Sequence, residues 1–147
     1  MSVFDNIDTW SDKHHPMLLD WIRILLGIII FLKGIYFISH TAELQAMLDR
    51  SKFPWLSFGL AHYVALAHLA GGVLIAFGCI TRVAILFQLP ILIGAVIFVN
   101  APRGFFSEGS DLFFSLTVLG LLLFYFFYGS GYLSVDHALE KRKNGKE

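Results

Sequence analysis

Four long apolar runs dominate this sequence of 147 residues and limit what it can fold into. Crossing about 30 Å of hydrocarbon takes roughly 20 consecutive, mostly apolar residues in an α-helix. Four runs come close to or exceed that length, and we predict transmembrane helices over residues 17–38, 60–80, 82–100 and 110–129. The runs are continuously apolar and do not alternate every second residue, which argues against barrel strands. The sequence therefore predicts an all-α fold, an integral membrane four-helix bundle.

The overall composition agrees with this fold and limits the function. Hydrophobic residues make up 56% of the chain and charged residues 15%, with a mean hydropathy of +0.69, whereas about a quarter of a soluble domain is charged. Eleven basic and eleven acidic side chains cancel, so we expect no attraction for nucleic acid. Cys79 is the one cysteine, which excludes an internal disulfide, a CxxC pair and a thiolate-ligated iron–sulfur cluster. Any redox group would have to come from elsewhere.

Three shorter segments have the pattern of amphipathic helices that lie in a membrane interface. One precedes the first span, one lies in the first loop, and one is the C-terminal tail, residues 134–147; apolar positions of the first two are Val3, Phe4, Ile7, Trp10, Leu44, Met47 and Leu48. The tail also carries four cations that suit anionic lipid, namely Lys141, Arg142, Lys143 and Lys146. No repeat or low-complexity linker divides the chain, so we predict a single membrane domain over residues 1–147.

The distribution of lysine and arginine predicts the orientation in the membrane. With four spans both termini share one side, and that side would collect Lys13, Arg82 and the four tail cations, against Arg50, Lys52 and Arg103 on the other. The positive-inside rule therefore predicts cytoplasmic termini. The acidic N-terminal segment has no small-residue cleavage site, so we expect the first span itself to direct insertion.

Two cations lie within the first predicted span, where each would cost roughly 2.5–3.5 kcal/mol near the bilayer centre. Lys33 is close to one end of the span and is expected to extend its charge to the interface. Arg23 shares a helix face with Gly27 and Gly34, and small residues at such spacing allow another helix to approach closely. We therefore expect Arg23 to point into the bundle and to have an acidic partner there, either Asp20 or Asp136.

The second span carries two histidines with different expected surroundings. His68 lies on a stripe of small residues, and so faces a neighbouring helix, whereas His62 is rotated away from that stripe. Their spacing of six disfavours joint binding of a metal or haem iron, for which three or four is expected, and we predict no metal site. His68 has two interpretations: an interhelical hydrogen bond, or a contact with a quinone in which the imidazole donates a hydrogen bond or passes a proton.

Two further polar residues complete a candidate quinone pocket with His68. These are Tyr63 on the same span and Gln88 on the third span, close to Pro90. Proline leaves the carbonyl one turn before it without its helical partner, and the Gln88 amide is a candidate to supply the missing hydrogen bond.

At this point the chain resembles the DoxX family of small bacterial membrane proteins. The resemblance covers about residues 17–137 and is carried by three fragments in order, RILLGIIIFLKG, LAGGVLIAFGCITR and GSGYLSVD. It implies a four-helix bundle in the bacterial inner membrane, with an accessory role in quinone-linked redox. The family takes its name from a subunit of a thiosulfate:quinone oxidoreductase, and other members are linked to membrane-bound oxidative-stress complexes.

The resemblance also bears on the buried cation of the first span. Arg23, Arg82 and Asp136 fall on recurring positions of the family, and with Asp20 they form our candidate buried polar cluster. We expect this cluster to hold together the first helix, the turn between the second and third helices, and the tail.

Three functions remain open from the sequence. The first is a membrane subunit linked to quinone redox; the second is a subunit without a cofactor that docks other membrane or membrane-associated proteins. The third is a small protein that binds lipid or another hydrophobic ligand. No nucleophile–base–acid set, phosphate loop or set of metal-spaced ligands is present, so we do not expect an autonomous enzyme.

Overall fold

The computed structural model describes residues 17–50, 57–100 and 112–144, and within these ranges the regular structure is helical, without a β-strand. The helices are α1 (Met17–Ser39), α2 (Thr41–Asp49), α3 (Ser57–Phe77), α4 (Thr81–Gly94) with a π-helical continuation (Ala95–Asn100), α5 (Leu112–Tyr128) and α6 (Val135–Asn144).

The long apolar helices correspond to the predicted spans. Three of them, Met17–Ser39, Ser57–Phe77 and Thr81–Phe98, are long and apolar enough to cross a membrane, and Leu112–Tyr128 is a shorter apolar helix of 17 residues. The predicted start of the fourth span at residue 110 lies outside the described residues. The chain is thus a multi-pass helical membrane protein with three to four apolar helices.

The second span ends earlier than predicted because of its terminal glycine. We expected a helix over 60–80, but α3 ends at Phe77 and a tight turn leads directly into α4 at Thr81. Gly78 has a φ of +66°, in the left-handed region that glycine adopts without steric cost. The helical pattern of the apolar residues carried no sign of this stop.

Helices α1 and α3 form the most extensive packing of the bundle, and their small residues are the reason. A Cβ added at Gly27 would collide with the backbone of Ala76, and one added at Gly72 would lie 2.5 Å from the Phe31 nitrogen. These contacts confirm the close helix approach that the stripe of small residues predicts.

The remaining core follows from this pair of helices. It is apolar and draws on α1, α3, α4 and α5, with Leu26, Ile30, Ile75, Ile85, Leu122 and Tyr125 among its most buried side chains. Large apolar side chains are exposed around the outside, for example Leu25, Leu66 and Phe113 at 57%, 62% and 70%. Such a surface suits a hydrocarbon surrounding.

Two of the three predicted short segments lie within the described residues, and both are helical. Helices α2 and α6 occupy the positions predicted for the first loop and the tail, while the predicted N-terminal amphipathic segment lies outside the described residues. The location of α2 and α6 at a membrane interface stays a prediction.

Candidate functional site

Arg23 is fully buried near the start of α1, and its guanidinium group makes two identified contacts. Nη1 lies 3.5 Å from Oδ1 of Asp20, one turn earlier, and Nη2 donates a hydrogen bond of 2.7 Å to the carbonyl oxygen of Leu133. The backbone N–H of Leu133 in turn donates to Oδ2 of Asp20 at 3.3 Å. The ion pair therefore binds both backbone polar groups of a single residue that lies beyond the end of α5.

Asp136, the other partner considered for Arg23, binds the turn between α3 and α4 instead. Its carboxylate accepts hydrogen bonds from the backbone N–H groups of Ile80 and Thr81, at 2.8 and 3.2 Å, and from the Thr81 hydroxyl at 3.4 Å. Its own N–H donates to the carbonyl of Gly78 at 3.0 Å. Because the first N–H groups of a helix lack intrahelical partners, Asp136 caps α4 from a distant part of the chain.

Gly78 lies where these two sets of contacts meet. A Cβ added there would lie 2.5 Å from the Ser134 Cβ and 3.0 Å from the Arg23 guanidinium carbon. Ser134 itself caps α6, as its position in the sequence predicts, by accepting a hydrogen bond from the His137 N–H at 3.1 Å. Arg82, the fourth member of the predicted cluster, is half-buried in the first turn of α4.

We call this set of contacts the tail junction; it consists of Asp20, Arg23, Gly78, Ile80, Thr81, Leu133, Ser134 and Asp136. It connects the three parts of the chain that the predicted cluster was expected to connect. The sequence analysis missed Leu133 as a partner, because a backbone carbonyl carries no mark in the side-chain pattern.

Tyr63 and Gln88 both lie between α3 and α4. The Gln88 amide donates to the carbonyl of Ala67 at 2.6 Å, and the Tyr63 hydroxyl donates to the carbonyl of Phe87 at 3.4 Å. The suggestion that Gln88 repairs the hydrogen bonding around Pro90 is thus wrong, since its amide nitrogen bonds across to α3. These two side chains connect helices, and His68 lies on a different face of α3.

His68 is 6% exposed and packs towards α1. Its ring meets the Phe37 ring edge to face, with centroids 5.1 Å apart, and its Nδ1 lies 2.8 Å from the carbonyl oxygen of Val64 in the same helix. The expected interhelical hydrogen bond is therefore replaced by one within α3. Because a carbonyl only accepts, Nδ1 carries the proton, and Nε2 of the neutral ring is an acceptor.

Lys33 approaches the same region from α1. Its ammonium nitrogen lies 5.5 Å from the centroid of the Phe114 ring, within the range of a cation–π contact, and Lys33 is one turn before Phe37 on α1. We call Lys33, Phe37 and His68 the His68 region. It combines a cation, an aromatic ring and an imidazole whose Nε2 has no hydrogen-bond partner among the described residues.

Two more buried polar contacts were not anticipated. Asn100, at the end of the π-helical segment, donates from its amide to the hydroxyl of Ser115 on α5 at 2.8 Å. Tyr125 of α5 donates its hydroxyl proton to the carbonyl of Leu19 at 2.6 Å. A polar residue in an apolar run was the available signal for both, but it does not identify the partner.

Histidine, cysteine and acidic side chains do not gather into a metal-binding group of three or more anywhere in ranges 17–50, 57–100 and 112–144.

Comparison with known proteins identifies the family. DoxX is the family that matches, over residues 18–101. A protein of Bacillus subtilis (strain 168) named "Putative oxidoreductase CatD" is 36% identical over 131 residues, which cover 84% of this chain and 89% of that protein. No solved structure matches. From the family match and this relative we conclude that the chain belongs to the DoxX family.

Proposed function

We propose that this protein is an accessory membrane subunit of a quinone-linked oxidoreductase in the bacterial inner membrane, with both termini in the cytoplasm. The name of the Bacillus relative supports a link to redox. The single observation that carries the quinone assignment is His68, a buried imidazole that packs on the Phe37 ring and has one ring nitrogen left as an acceptor.

The chemistry of these groups suits a quinone head group in its reduced form. A quinol hydroxyl is a donor, and Nε2 of His68 accepts; the Lys33 ammonium is a donor for an oxygen of the head group. The Phe37 ring supplies an apolar surface next to both. The assignment thus differs from our first interpretation, in which His68 donates to a quinone carbonyl, because Val64 already takes its one ring proton.

Tyr63 and Gln88 take a secondary place in this proposal. Each bonds to a backbone carbonyl across the α3–α4 interface, and we assign them to helix packing beside the pocket rather than to the head group. When bound, the quinone would carry the electrons, while the chain itself binds and orients the head group, and a partner protein supplies the other redox group.

Gentle extraction from native membranes, followed by native mass spectrometry and solvent extraction of bound quinone, tests this function. The wild-type protein is expected to retain quinone and His68→Ala to lose it. His62→Ala is a matched control: its Nδ1 lies 2.8 Å from the Phe58 carbonyl in the same kind of contact, but the side chain is exposed. Equal quinone content in the two variants would contradict the assignment to His68.

The second candidate is a docking subunit without a cofactor. The tail junction favours it, because it holds the start of α6 on the bundle and so presents the basic tail in a defined place. Protein purified without quinone, but with partner proteins in fixed stoichiometry, would support this function in place of the first.

A further inference from the structure

Helix α6 turns its apolar side away from the protein. Asp136 and His137 are its half-buried residues, whereas Val135 and Leu139, one turn apart on the same side, are 40% and 57% exposed. Tyr132 and Leu133, which precede the capping residue Ser134, are exposed to 51% and 50%. An amphipathic helix normally packs its apolar side on the protein core. In α6 the side that carries Val135 and Leu139 is instead open to the surroundings of the protein.

The position of α6 in the fold indicates what surrounds its apolar side. Its first turn is bonded to the end of the bundle at which α1 begins, α3 ends, α4 begins and α5 ends. Because the long helices reach their limits there, this level is a boundary between hydrocarbon and water. Phe77, the last residue of α3, and Ile80, in the turn before α4, are exposed apolar side chains at the same end. The first turn of α6 thus lies at the same end of the bundle as apolar side chains that face outward.

The charges of α6 complete the argument. Its last turn carries Lys141, Arg142 and Lys143, all exposed, against one exposed acid, Glu140. The carboxylate of the other acid, Asp136, accepts hydrogen bonds from the turn before α4 and from its first residue. The exposed part of the helix therefore combines an apolar side with a positive end, which is the pattern of a helix lying on an anionic membrane surface.

We propose that α6 is a binding site for anionic phospholipid, with Val135 and Leu139 in the acyl-chain region and the three cations on the headgroup phosphates. The tail junction places the helix, and the lipid covers the side that the protein leaves open. Each cation near an anionic surface contributes about fivefold in partitioning, so the three together favour an anionic over a neutral bilayer on the order of 100-fold.

An environment-sensitive fluorophore at Leu139 tests the proposal on the full chain. Cys79 is the only cysteine, so Cys79→Ser gives a background in which Leu139→Cys can be labelled alone. The labelled protein is reconstituted in vesicles of phosphatidylcholine, with or without phosphatidylglycerol. We expect a blue shift and a several-fold rise in emission with phosphatidylglycerol, reversed by high salt, which screens the headgroup charge.

Two variants make the result specific. A label at Glu140→Cys, on another side of the same exposed helix, is expected to stay in a polar environment in both lipids. Substitution of all three cations by glutamine is expected to abolish the response at Leu139 and the retention of phosphatidylglycerol in native mass spectrometry. All these positions are exposed, so the fold does not depend on them.

A label that reports the same polar environment in both lipids would overturn the proposal. The proposal would also be overturned if the label were shielded in native membranes but not in phosphatidylglycerol vesicles that contain no other protein. The apolar side would then be covered by a partner protein. This test does not depend on quinone retention, so the lipid site and the proposed function can fail separately.

Discussion

The tail junction and the His68 region both bury polar groups in an apolar bundle, but they satisfy them to different degrees. At the junction, the Asp20 and Arg23 side chains form hydrogen bonds with the backbone N–H and carbonyl of Leu133. The Asp136 carboxylate accepts hydrogen bonds from backbone N–H groups at the start of α4. In the His68 region, one imidazole nitrogen bonds within its own helix and the other is an acceptor without a described partner.

This difference suggests which buried polar residues support the fold and which are available to a ligand. Burying a polar group is costly unless it is hydrogen-bonded. At the junction only Nε of the Arg23 guanidinium is buried without a partner among the described residues, so this largely bonded cluster contributes to the fold. A buried group with remaining bonding capacity is instead available to a ligand. Substitutions at the junction should therefore reduce stability, and substitutions in the His68 region should reduce ligand binding with little loss of stability.

The largest effect is expected from Arg23→Met. It leaves the buried carboxylate of Asp20 without its cation, and breaking one side of a buried pair typically costs about 3–5 kcal/mol. Thermal unfolding in detergent measures the loss. The double variant with Asp20→Asn should be less destabilised than Arg23→Met alone, because no unpaired charge then remains. A single variant as stable as wild type would show that the junction does not hold the fold.

Gly78→Ala should have the next largest effect. The left-handed backbone costs a residue with a Cβ about 1–2 kcal/mol, and the added methyl group must also displace Ser134 or Arg23. Gly59→Ala and Gly120→Ala are matched controls with open space around the new Cβ. They should be neutral or stabilising by up to about 1 kcal/mol, as for glycine to alanine within a helix. Equal losses in all three variants would contradict the special place of Gly78.

Asp136→Asn should destabilise by about 1 kcal/mol, the usual net contribution of one hydrogen bond. The carboxylate of Asp136 accepts hydrogen bonds from the backbone N–H groups of Ile80 and Thr81. The asparagine amide keeps one acceptor oxygen, but its NH2 group would face the other of these two N–H groups. Unfolding of the variant in detergent is compared with that of Glu140→Gln, an exposed acid of the same helix. Identical stability of the two variants would argue against the cap.

His68→Leu should have the smallest effect on stability, less than about 1 kcal/mol, because the hydrogen bond it removes is local to α3. The same substitution should abolish quinone retention if the proposed function is correct. A large loss of stability would place His68 with the structural groups of the junction and remove the contrast between the two regions.

The sequence predicted the helices well and their connections less well. The limits of α1 follow from the length of an apolar run, because hydrocarbon thickness determines how many residues a span needs. The burial of Arg23 follows from the helix face it shares with two glycines, whereas spacing left two acidic partners open, of which the structure has Asp20. The end of α3 at Phe77, just before Gly78, did not follow, since a left-handed glycine and a helical glycine look alike in an apolar sequence.

The candidate site shows the same limit. His68 was correctly placed against a neighbouring helix, because a stripe of small residues marks a packing face. Its hydrogen bond to Val64, and those of Tyr63 and Gln88 to other backbone carbonyls, could not be predicted. Every residue offers a carbonyl acceptor, so the choice depends on three-dimensional distances that a pattern of side chains does not contain.

The bond between Arg23 and Leu133 has a consequence for biosynthesis. The two residues are 110 positions apart, so α1 is synthesised and inserted long before its partner leaves the ribosome. Until then the guanidinium lacks this acceptor, and the nascent bundle stays open at one end. Closure of the tail junction therefore requires the chain to be synthesised through Leu133. A chain that ended before Leu133 would leave Arg23 without its backbone acceptor inside the bundle, at the cost of an unsatisfied buried donor.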